Sequence, residues 1–85
     1  MNTKKDFAYR DFINAVKAEK IENESIRIRV GENPQSTEIA GEVKEKFINE
    51  FGGRHFLISG GSADTVHRDL KELNVTPNYD RELVS

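Results

Sequence analysis

Gly60-Gly61-Ser62-Ala63-Asp64-Thr65 is the stretch of this 85-residue chain whose residue types and order best suit chemistry. Two glycines let a backbone approach a ligand closely. A helix opening there would aim its free N–H groups and its dipole at an anion. Gly60, Gly61, Ser62 and Thr65 therefore form the candidate anion-binding set, with the two hydroxyls as further donors. The Gly-Lys-Ser/Thr ending of a P-loop is missing. Asp64 would repel a phosphate unless its carboxylate turned outward to cap N–H groups. The competing reading is a plain strand-to-helix turn capped by Gly61 or Ser62.

Arg27, Arg29 and Arg54 are the second candidate set, for contact with a partner or a nucleic acid. A row of guanidiniums on the wet face of a sheet binds phosphates, carboxylates or an acidic protein surface. The plainer reading is a solvated strand whose charges discourage edge pairing. Asp64 and His67 sit at i, i+3 and share a helix face, but a metal needs at least three protein ligands and no further His or Cys lies nearby. Ser59, Ser62, His55, His67, Asp64 and Asp69 make no nucleophile–base–orienter set by their spacing. Phe12 reads as core. Phe7 and Tyr9 cannot share one face of a helix, which leaves one of them for a partner.

Composition narrows the function classes. Thirteen Lys plus Arg against fifteen Asp plus Glu give a net charge of −2, which argues against bulk coating of nucleic acid. No cysteine is present, so a disulfide scaffold, a thiolate zinc site and a thiol nucleophile are excluded. The longest apolar run, Phe56-Leu57-Ile58, is far too short to span a bilayer. Met1 to Asp6 has no apolar stretch behind its lysines and does not read as a signal peptide. These features point to a membrane-free, cytoplasmic chain.

The elements that must position these residues emerge from periodicity. Tyr9, Phe12, Ile13 and Val16 predict a helix over about Lys5–Lys20, with Thr3 as N-cap. Ile26, Ile28 and Val30 alternate with Ser25, Arg27 and Arg29, a strand with one wet face. Gly31 to Pro34 reads as a turn. Ile39, Val43, Phe47 and Phe51 form an i, i+4 ridge that predicts a second helix over about Ser36–Phe51, stopped by Gly52-Gly53. Arg54 to Ser59 is a second strand, nearly continuous in apolar character and so the more buried of the two. Ala63, Val66, Leu70 and Leu73 give a third helix, with Asn74 after its end and Pro77 blocking continuation.

The expected architecture is α/β, with α+β as the alternative. It is a single domain over residues 1–85, helix-strand-helix-strand-helix, whose two-stranded sheet is covered by helices on one face. Residues 1–4 and 79–85 are candidates for unordered ends. The middle helix would make a right-handed crossover between parallel strands, with an antiparallel arrangement as the alternative if the strands pair with another chain instead. About twenty apolar side chains serve three helices, close to the limit for a domain folding alone, so a homodimer is expected.

Phe51-Gly52-Gly53-Arg54-His55-Phe56-Leu57-Ile58-Ser59-Gly60-Gly61, followed by Arg68-Asp69-Leu70, resembles the phage Mor/C family of transcription activators. Asn78-Tyr79 and Glu82-Leu83 loosely echo the next stretch of that family's sequences. The resemblance covers the second half of the chain and implies a dimerisation region without the helix-turn-helix. Ser59 stands where that family carries Pro. Ile58-Ser59-Gly60-Gly61-Ser62-Ala63-Asp64 is also similar to a nucleotide-binding superfamily whose strand ends in Gly-Gly-Ala-Arg-Gly-Ala-Asp, although the Arg-Gly is absent.

The functional expectation is a small non-catalytic interaction protein of phage or mobile-element type. It would bind a protein partner as a regulator or inhibitor, with no catalytic residue, metal or cofactor. The alternatives are a DNA-associated, Mor-like transcription regulator and a phosphate- or nucleotide-binding module at Gly60-Gly61-Ser62.

Overall fold

The computed structural model of the protein describes residues 7–31 and 36–81. In chain order the elements are α1 (Tyr9–Lys17), β1 (Arg27–Val30), β2 (Thr37–Glu42), α2 (Ile48–Phe51), β3 (His55–Gly60), α3 (Ala63–Glu72) and β4 (Asn78–Arg81). Single 3₁₀ turns lie at Asn23–Ser25 and Glu45–Phe47. The four strands form one mixed sheet in the order β3-β2-β1-β4. β1–β2 and β2–β3 are antiparallel, and β1–β4 is parallel. The architecture is α+β, and the two-stranded sheet expected from the sequence is replaced by four strands.

The largest difference lies at Ser36–Phe51. No long helix forms there. Thr37, Ile39 and Gly41 turn inward and Glu38, Ala40 and Glu42 point the other way, so the segment is the second strand of a meander. The i, i+4 spacing of Ile39 and Val43 fits both a helix ridge and the even positions of a strand. Gly41 and the β-branched residues weaken the helix, and pairing on both sides decides for the strand. The parallel crossover between the first two strands is likewise overturned. The parallel pair is β1 with β4, joined through the later α3 connection. Residues 79–81 belong to β4 rather than to an unordered end. Thr3, Asn33, Pro34 and residues 82–85 lie outside the described residues.

α1 and α3 bury one face of the sheet. Phe12, Val16, Val66 and Leu70 pack with Ile28, Ile39, Phe56 and Ile58 in a single core. α1 is shorter than its periodicity suggests. The Ala8 N–H donates to the Asp11 carboxylate at 3.0 Å, and Asp11 thereby caps the helix start. At the other end Glu19 takes the left-handed conformation (φ 58°), with Lys20 N–H donating to Ala15 O. α3 ends the same way at Asn74 (φ 60°), and the buried Val75 closes the motif with a bond to Leu70 O. Gly52, with φ 80°, supplies the left-handed stop after α2.

Candidate functional site

The face of the sheet turned away from the helices carries two of the sequence-predicted site residues, Arg27 and Arg29. Strand register aligns its side chains in rows. Arg27, Ala40 and Leu57 occupy one row, and Arg29, Glu38 and Ser59 the next. Arg27, Arg29, Glu38, Ala40 and Leu57 line a shallow depression of about 280 Å³. Leu57 is 67% exposed, the most exposed large apolar side chain among the described residues. Arg29 reaches Glu38 across the strands at 3.5 Å. The surface is therefore an apolar strip, Ala40 and Leu57, bordered by charges of both signs.

Sequence reasoning placed Arg27 and Arg29 on this face correctly, and the structure brings them together. Arg54 does not join them. It lies one residue before β3 and lines a separate depression with Glu22, Glu24, Glu42 and Lys44. Leu57 was missed because Phe56-Leu57-Ile58 reads as a continuous buried run. β3 instead alternates strictly, with Phe56 and Ile58 buried and Leu57 outside, and it lies at the edge of the sheet rather than inside it. The period-two signal was present but masked by apolar residues on both faces.

Gly60-Gly61-Ser62 does lead from a strand into a helix, and its Ser62 hydroxyl is engaged within the turn. The Ser62 hydroxyl accepts from Thr65 N–H at 3.2 Å and donates to the Thr65 hydroxyl at 2.9 Å. Gly61 O accepts from the Thr37 hydroxyl at 3.0 Å. Ser62 is thus the N-cap of α3, which is the plainer of the two sequence readings.

Of the two amino-terminal aromatics, Phe7 belongs to the core and Tyr9 is the more exposed. Phe7 precedes α1, is buried, and meets Phe51 edge-on at 5.4 Å and Phe56 at 5.5 Å. Tyr9 is half-buried and donates to Asp69 at 2.7 Å. Burial, that hydrogen bond and the Asp69 charge push the Tyr9 phenol well above its ordinary range, against a smaller opposing effect of Arg68. His67 pairs through Nδ1 with the Tyr79 hydroxyl at 2.8 Å, tying α3 to β4, and burial raises the Tyr79 phenol. Among the described residues no three His, Asp or Glu side chains gather as a metal site. No helix among them is long and apolar enough to cross a membrane.

No protein-family model matches the chain, and no solved structure matches it significantly. Among curated proteins, the ATP-dependent zinc metalloprotease FtsH 1 of Bdellovibrio bacteriovorus is 33% identical over 76 residues. The match covers 89% of this chain and 11% of that protease, so the chain spans about a tenth of the relative's length.

Proposed function

We propose that this chain is a non-catalytic protein-binding domain that regulates by occupying a partner's surface. The observation that carries the reading is Leu57, 67% exposed on the edge strand of an open sheet face beside Ala40. An exposed apolar strip with a charged border is the usual anatomy of a protein contact. The chain is similar to about a tenth of a zinc metalloprotease. The chain holds neither a Gly-x-x-x-x-Gly-Lys-Ser/Thr loop nor a His-Glu-x-x-His helix, the motifs that would bind nucleotide phosphates and zinc. It therefore corresponds to a stretch of such a protease outside those motifs. The pairing of Arg29 with Glu38 offsets charge on the open face, which favours a protein over DNA as the partner.

A photo-reactive phenylalanine analogue at position 57 tests this in the source cells, with position 17 on α1 as control. Protein adducts from position 57 and not from position 17 are expected. Equal labelling at both positions, retention of the purified chain on duplex DNA at low salt, or saturable binding of ATP–Mg²⁺ would refute the reading.

A further inference from the structure

The outer edge of β3 is an unfilled strand position whose own residues match it. Val43 N–H donates to Arg54 O at 2.8 Å, which fixes the pairs that bond across β2 and β3. Antiparallel ladders alternate bonded and non-bonded pairs. Phe56, Ile58 and Gly60 therefore spend their peptide groups on β2 (opposite Gly41, Ile39 and Thr37), while His55, Leu57 and Ser59 aim theirs outward. The sheet order ends at β3, so among the described residues no strand receives those groups. Proteins commonly guard such edges with lysine, proline or a bulge. β3, His55-Phe56-Leu57-Ile58-Ser59-Gly60, carries neither lysine nor proline. The opposite edge, β4, is two residues shorter and comes directly after Pro77.

We infer that β3 pairs antiparallel with β3 of a second copy of this chain, about a two-fold axis at Leu57. In that register Leu57 exchanges both bonds with its symmetry mate, and His55 exchanges both with Ser59. Every outward N–H and C=O of the three residues is then used. No other self-pairing of these six residues uses them all. Side chains agree with the backbone. Leu57 meets Leu57 on the open face, extending the Ala40 strip across the axis, and His55 lies opposite the uncharged Ser59, so no like charges oppose each other. The result is one continuous eight-stranded sheet with both helical layers on the same side. This inference rests on the protein-binding reading and names its partner. Two strands of this length bury an area at the small end of specific interfaces, so the dimer is reversible.

Sedimentation equilibrium and NMR on the 85-residue chain, from micromolar to roughly millimolar concentration, test it at the scale suited to a small interface. The mass should rise towards twice the monomer's, with concentration-dependent shifts and slowed hydrogen exchange at the amides of His55, Leu57 and Ser59. Leu57→Lys should raise the dissociation constant at least about tenfold, or ~1.4 kcal/mol. Ser59→Pro should do the same while keeping the fold by circular dichroism, because the N–H it removes faces outward and is not used by β2. A monomer at every concentration overturns the inference. So does a dimer in which those three amides exchange freely, or one that both variants leave intact. A monomer that still forms adducts with another protein from position 57 overturns the self-pairing alone and leaves the protein-binding reading standing.

Discussion

The Tyr9 hydroxyl donates to the Asp69 carboxylate at 2.7 Å, joining α1 to α3 across sixty positions of sequence. The pair closes the helical layer over the sheet and lines a groove between α1 and α3 with Ile13 and Leu73. Tyr9→Phe keeps the ring but leaves Asp69 without that donor. It should cost about 1–2 kcal/mol, read as a lower midpoint in urea with an unchanged slope.

The same pair predicts an alkaline response. The folded protein holds the Tyr9 phenol above its unfolded value. The stability this contributes is complete below roughly pH 10, the ordinary tyrosine range, and is lost as pH rises through the folded value. Thermal unfolding measured from pH 8 upward should show wild type losing stability above that range. Tyr9→Phe should lose less, the remainder coming from Tyr79, whose phenol is also raised. Parallel curves for the two proteins would contradict the assignment.

Gly41 of β2 faces the Phe56 ring at close range. A Cβ at this position would meet the Phe56 ring at 2.7 Å. Gly41→Ala should destabilise by roughly 1–3 kcal/mol through overpacking. Much of that cost should disappear when Phe56 is also shortened to Leu, which a double-mutant cycle in denaturant would measure.

Glu19 sits at φ 58°, where a side chain is strained and glycine is not. Glu19→Gly should therefore stabilise the α1 end by about 0.5–1 kcal/mol, net of the added freedom of the unfolded chain. A lowered melting temperature would show that the Glu19 side chain has a favourable contact outweighing its strain.

Ser62→Ala removes the N-cap of α3 and should cost about 1 kcal/mol. Inorganic phosphate or a nucleotide added to the wild-type chain should leave the Gly61 to Thr65 amides unmoved in NMR spectra. Saturable shifts there would show that the turn binds an anion.

The amino-acid sequence alone determined the features that depend on neighbours a few positions apart. Ile26 to Val30 alternate, and Arg27–Val30 become β1, with Arg27 and Arg29 outside. Ala63, Val66 and Leu70 repeat at helical spacing and become α3, with Ser62 at its start and Asn74 after its end. Asn74 and Gly52 turn left-handed where helix stops were expected. Local sterics and local hydrogen bonds settle these choices, so residue type suffices. Tertiary structure decided the rest. Ile39 and Val43 satisfy helix and strand patterns alike, and only β1 and β3 on either side make residues 37–42 a strand. Leu57 lies in an apolar triplet that one chain segment cannot sort into inside and outside. Its exposure results from β3 being last in the sheet with helices on one face only. Residues 78–81 become a strand because β1 offers an open edge on that side, a partner about fifty positions away that no local pattern contains.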